Sequence, residues 1–282
     1  MNRSLRLAGF ILAAGMLVGF NWDNVDVNKA ADGGVKLFKA TKGLSEAQEI
    51  RLGREVAANL AARYSLVNDP VKSRYLHLIT HTLARHSERP QLSWHVAILQ
   101  SAEINAYAAP GGYLFVTKGL LDTLQDESEL AGVIAHEMTH VTHKHILTAI
   151  RKANLAGAGK DLAEAAGADM SAYASLSDFS IKMLSQGLSR KDELDADRSG
   201  TVLAAACGYD AAGLKRSVQR LNPTDKSNLL FARFQKTHPP VPERLAVIDK
   251  VLKKQAFGKG EQLAKRFHQN VVSTVQPAGG KS

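Results

Sequence analysis

The sequence predicts an α+β domain that is mainly helical with a small sheet. Two observations carry this: short β-branched runs, "LSWHVAIL" and "YLFVT", follow two helical stretches and precede further helices, and the apolar positions around them recur at helical spacing. The 282 residues, 45% of them hydrophobic, can fill a sizeable core.

The first segment has its own logic. Arg3 and Arg6 precede an uncharged run from Leu7 to Phe20, and no acid appears before Asp23. That is the shape of a signal peptide or an N-terminal signal anchor, short for a bilayer span of about 20 residues. Residues 1–22 are therefore expected to direct export, leaving the rest in the periplasm, soluble or tethered to the inner membrane. No cysteine closes the run, which excludes a lipoprotein anchor. Residues 23–43 are polar with scattered glycines and read as a linker.

Order is expected from 44 to 250. Ser45 and Gln48 form a capping box for a helix whose apolar positions include Ile50, Val56 and Leu60. Pro70 sits at a first-turn position of a second helix, "PVKSRYLHLITHTLARHSE". His77, His81 and His86 fall on or near it without a carboxylate at metal-ligand spacing, so they read as structural or exposed. "LSWHVAIL" and "YLFVT" are strand-like, with Pro110-Gly111-Gly112 as a turn before the second. A long histidine-bearing helix is expected next, then an Ala/Gly-rich region from Ala153 to Ala174, a helix ending near Leu188 and another from Arg190 to Cys207. Residues 251–282 read as a basic tail, either a solvated helix or a strip for a membrane surface.

Net charge is +9, which favours anionic surroundings. No Walker-type or RNP-type pattern accompanies the basic residues, so nucleic acid is not an expected partner. Cys207 is the single cysteine, which excludes an internal disulfide and any paired-cysteine metal site; in "TVLAAACGYD" it reads as a small buried apolar residue.

The chemistry lies in "ELAGVIAHEMTHVTHKH". His136 and His140 project from one face of a helix one turn apart, so both rings can reach a single zinc ion, and Glu137 lies beside that face where it can hold a water. A shuffled chain of this composition contains H-E-x-x-H about once or twice in a hundred trials, so context matters. The context agrees: no Pro or Gly occurs between Gly132 and Gly157. The longer metzincin pattern would need a glycine at position 143 and a histidine at 146, where His143 and Ile146 stand. On one straight helix His143 lies about 10 Å from His136, too far to share the ion, so His143 and His145 are expected to support the site or lie on the surface.

A catalytic zinc wants a third protein ligand and an open position. Glu164 is one candidate. Glu193 is better, because Asp197 falls one turn later, where its carboxylate can accept the second N–H of a ligand histidine.

"NAYAAPGGYLFVTKGLL", "ELAGVIAHEMTHVTHKH", "LSRKDELDADRSG" and "THPPVPERL" together resemble, in order and spacing, the zinc metallopeptidase family of HtpX and the CAAX prenyl proteases, and most of all its exported bacterial BepA-like branch. The resemblance covers about Leu44 to Lys250. It implies a gluzincin fold with H-E-x-x-H plus E-x-x-x-D. It assigns His136, His140 and Glu193 to one Zn2+ per chain, Glu137 to the base and Asp197 to a supporting acid. It further implies that His238 faces the metal, as an oxyanion stabiliser or a removable fourth ligand, and that Asn105, Ala106 and Tyr107 belong to a strand whose backbone holds an extended peptide. Arg244 is expected to pair with an acid.

The expected function is zinc-dependent endopeptidase cleavage of unfolded or misassembled envelope proteins, in protein quality control. A latent, zinc-stabilised chaperone or assembly factor is the alternative. Unlike in the family's other branches, neither the several membrane spans of HtpX and the prenyl proteases nor a BepA-type helical repeat after residue 250 is expected.

Overall fold

The computed structural model describes residues 44–155, 170–221 and 237–273. The leader, the linker and Glu164 lie outside them. Among the described residues no helix is long and apolar enough to cross a membrane.

Helix α1 (Glu46–Tyr64) starts at the expected capping box: Ser45 Oγ accepts from Gln48 N, and Gln48 Oε1 accepts from Ser45 N. Helix α2 (Pro70–Ala84) has Pro70 in its first turn and Asp69 as its cap. Strands β1 (His95–Leu99), β2 (Ala106–Ala109) and β3 (Tyr113–Thr117) form one mixed sheet in the order β1-β3-β2, with β3 parallel to β1 and antiparallel to β2. Helix α3 (Lys118–Thr123) leads to α4 (Glu127–Thr142), which carries the H-E-x-x-H residues.

Both faces of the sheet are covered. Alternation along β3 sends Leu114 and Val116 into the main core with Leu76, Leu83, Leu130, Ile134 and Met138, and Phe115 into a second core with Leu52, Val56, Ile146 and Ile150. Each fully buried leucine or isoleucine here contributes roughly 1.5–3 kcal/mol.

The structure corrects the long uninterrupted helix. Helix α4 stops at Thr142, Lys144 is left-handed with φ 55°, and a separate helix, α5 (His145–Leu155), begins after it. No Pro or Gly marks the break; instead Arg89 Nη1 takes the Val141 carbonyl at 3.3 Å, and His143 is held by Asp195.

Helices α6 (Met170–Gln186), α7 (Arg190–Ala206), α8 (Gly213–Arg220) and α9 (Val241–Lys254) follow. The stretch read as a tail also packs down in part. Helix α10 (Ala264–Phe267) runs into a π-helical turn, His268–Val272, which buries Phe267 and Val271 in the main core. Arg266 pairs with Glu127, which also accepts from Tyr75 Oη at 2.6 Å and Tyr209 Oη at 3.0 Å. This segment is therefore tied to the first turn of α4. Cys207 is half-buried, and burial pushes its thiol up to about 11, in keeping with an inert side chain.

Candidate metal centre

Helix α4 supplies half the site. Asp126 caps it by accepting from Glu129 N at 2.9 Å, and the acids Glu127 and Glu129 complement its positive end. One helical turn then separates His136 from His140, and their Nε2 atoms come to 3.2 Å of each other.

Helix α7 supplies the other half. Ser189 caps it, which places Glu193 in its first turn. Glu193 Oε2 lies 3.6 Å from His136 Nε2, and Oε1 lies 3.8 Å from His140 Nε2. The helices must cross closely for this reach, and Gly200, seven residues past Glu193 on the same face, permits it. A Cβ there would lie 2.7 Å from the His136 backbone nitrogen. Sequence reasoning did not single out Gly200; the small-residue position two turns after Glu193 was the available signal.

Asp197 follows one turn after Glu193 and faces the far side of His136, its Oδ1 3.0 Å from Nδ1. Asp197 is held in turn by Arg244 of α9, so Arg244 pairs with an acid. His140 is supported differently: its Nδ1 meets His145 Nδ1 at 2.9 Å across the break between the two helices. His143 sits outside this set, between Asp195 at 2.5 Å and Glu88 at 3.2 Å.

His238 also comes to the centre. Its Nδ1 lies 2.6 Å from Glu193 Oε2, and it offers a donor within 4.8 Å of those of His136 and Glu193. Gly187 shapes the approach: it has φ 85°, and a Cβ would lie 1.9 Å from the Thr237 carbonyl oxygen.

A groove runs past the centre, lined by Asn105–Ala108, Glu137, His140, Leu188, Glu193 and His238. Strand β2 is its edge. Thr117 N donates to the Asn105 carbonyl at 3.0 Å, so antiparallel alternation turns the backbone groups of Ala106 and Ala108 outward. The Ala106 amide is taken by Asn105 Oδ1 at 3.0 Å. The Tyr107 ring instead packs in the second core, with its hydroxyl donating to Glu103.

The electrostatics sort the buried groups. Burial pushes Glu137 up to about 7, with neighbouring Glu193 adding to the rise and His136 and Arg244 opposing it. Burial would lower His136, but the Asp197 and Glu193 carboxylates outweigh it and lift the ring to about 9. His140 is driven well below the usual imidazole range by burial. Burial opposes ionisation of Glu193, yet the surrounding histidines hold it well below the usual carboxylate range.

The donor set fits zinc. The two imidazole nitrogens lie 3.2 Å apart, and the two oxygens of Glu193 lie 3.6 Å and 3.8 Å from one nitrogen each, near the roughly 3.3 Å between ligand atoms of a tetrahedral ion with bonds near 2.0–2.2 Å.

Comparison with known proteins adds an independent line. The sequence profile of peptidase family M48 matches residues 70–252. The chain is 28% identical over 212 residues to the beta-barrel assembly-enhancing protease of Escherichia coli (strain K12), an alignment covering 72% of this chain and 43% of that protein. It is 30% identical over 207 residues to a protease HtpX homolog of Salinibacter ruber (strain DSM 13855 / M31), covering 62% and 74%. It is 28% identical over 162 residues to the mitochondrial metalloendopeptidase OMA1 of Schizosaccharomyces pombe (strain 972 / ATCC 24843), covering 57% and 47%. The chain thus spans less than half the length of the first of these relatives.

Proposed function

From the premise that this chain belongs to peptidase family M48, we propose that it is a zinc metalloendopeptidase that cuts extended segments of unfolded or misassembled proteins of the cell envelope. The observation that carries this reading is the convergence of Glu193 on the paired Nε2 atoms of His136 and His140, with Glu137 on the wall of the same groove. One Zn2+ per chain would be held by His136, His140 and Glu193. Bound there, it would acidify water and polarise the scissile carbonyl.

The remaining work falls to the protein. The outward backbone groups of β2 pair with an extended peptide and lay it along the groove, a mode that reads backbone more than side chains and so suits unfolded substrates. Glu137, on the wall of the groove, takes a proton from the attacking water and delivers it to the leaving amine. His238 meets the negative charge that develops on the carbonyl oxygen. Asp197, anchored by Arg244, keeps the His136 ring turned to its task.

The relative named for enhancing β-barrel assembly supports an envelope quality-control role. The basic leader followed by an apolar run supports export to the periplasm, free or tethered to the inner membrane. A second reading, a latent assembly factor, is favoured by one observation: His238 offers a donor within 4.8 Å of those of His136 and Glu193 and could fill the fourth position.

The test is Glu193→Ala, with zinc measured by elemental analysis beside casein cleavage. The expected result is loss of both; unchanged zinc content removes Glu193 from the ligand set.

A further inference from the structure

The helix break after α4 creates a second constellation. On an uninterrupted helix His143 and His145 would project about 200° apart. With Lys144 left-handed between them, both rings turn onto one carboxylate of α7, Asp195. Nδ1 of His143 lies 2.5 Å and Nε2 of His145 lies 3.4 Å from the same Asp195 Oδ2. The rings meet nearly perpendicular, at 86°, and the three donor atoms lie within 4.8 Å of one another.

Two imidazoles and a carboxylate suit zinc and its neighbours in the first transition series better than they suit calcium or magnesium. Access differs from the main centre. The side chains of His143 and Asp195 are 23% and 31% exposed, whereas those of His136, His140 and Glu193 are at most 4% exposed. Glu88, 3.2 Å from the other nitrogen of His143, and Arg198, 3.2 Å from the other oxygen of Asp195, brace the two exposed donors.

We propose that His143, His145 and Asp195 form a second site for a divalent transition metal of the zinc class, filled from solvent and separate from the His136–His140–Glu193 centre. Closing it requires the 2.5 Å contact of His143 with Asp195 to widen toward the roughly 3.3 Å between ligands of a tetrahedral ion. The two centres share no ligand, but they share the hydrogen bond between His140 and His145. A neutral His140 that ligates through Nε2 carries its proton on Nδ1 and donates it to His145. A metal on Nε2 of His145 leaves a proton on that ring's Nδ1 as well. Two N–H groups would then face each other across 2.9 Å, so the bond opens and His140 loses its support. Filling the second site therefore loosens the first ion.

The experiment is a Zn2+ titration of the full chain in metal buffers, with bound zinc counted by elemental analysis. The wild type is expected to take up a second equivalent at higher free zinc, and its first ion then passes to a chelator about tenfold faster. His143→Ala and Asp195→Asn, both at solvent-accessible positions, are expected to stop at one equivalent with unchanged circular dichroism. Glu193→Ala is expected to lose the tight equivalent and keep the weaker one, which separates failure of this site from failure of the main centre. Saturation of the wild type at one equivalent, or a second equivalent that survives both substitutions, overturns the proposal.

Discussion

Arg244 grips Asp197 with two hydrogen bonds, from Nε at 2.9 Å and Nη2 at 2.6 Å, and both side chains are almost completely buried. Because Asp197 also faces Nδ1 of His136, the pair links α9 to the metal-facing ring through one carboxylate. The guanidinium holds Asp197 well below the usual carboxylate range against the pull of burial.

Removing either partner should separate folding from metal binding. Arg244→Ala leaves a buried, uncompensated carboxylate and is expected to cost about 3–5 kcal/mol in urea denaturation. Asp197→Asn removes the negative charge beside His136 and is expected to weaken zinc about 10–100-fold in a chelator competition. Zinc affinity unchanged in Asp197→Asn would show that the carboxylate serves the fold alone.

Gly200→Ala tests the close crossing of α7 on α4. A methyl group 2.7 Å from the His136 nitrogen must push the helices apart, at a cost of about 1–3 kcal/mol. Because Glu193 rides on the displaced helix, zinc affinity should fall along with the melting temperature. A variant that melts lower but binds zinc as tightly as wild type would place the strain elsewhere.

His238→Ala distinguishes the two readings of that residue. As a donor to the developing oxyanion, its loss should lower kcat for casein-derived peptides about 100-fold with little change in KM. A rise in cleavage would instead identify His238 as the plug of a latent site.

The metal-free protein offers a pH test of Glu137. Its folded pKa, about 7, lies above the ordinary carboxylate value of 4.5, so its ionised form is disfavoured in the folded state. The resulting destabilisation is absent below about pH 4.5, grows as pH rises and levels off above about 7, at a size of order 3 kcal/mol. Metal-free Glu137→Gln should therefore be more stable than metal-free wild type at pH 8, with the difference vanishing near pH 4. Parallel stability curves would mean that Glu137 is solvated.

How much of this was legible in the sequence depends on which interactions are local. His136 and His140 could be paired because helical spacing alone aligns them, and Glu193 and Asp197 stood out for the same reason on a second helix. His238 carries no such spacing; only the resemblance of "THPPVPERL" pointed to it. The Lys144 break was invisible because no Pro or Gly marks it: its support comes from Arg89 and Asp195, distant in sequence. Gly200 and Gly187 carry no local signal, because a glycine's importance there is what it touches in another element. Phe267 and Val271 lie in a segment whose net charge predicts a solvated tail, and that charge conceals two apolar side chains that reach the core.

The most direct measurement sets wild type beside Glu137→Gln, with zinc content by elemental analysis and casein cleavage determined on the same preparations. Equal zinc in both, with cleavage lowered at least about 100-fold in Glu137→Gln, is the expected result. Undiminished cleavage by Glu137→Gln at equal zinc content would contradict the assignment of Glu137 as the base, and with it the proposed mechanism.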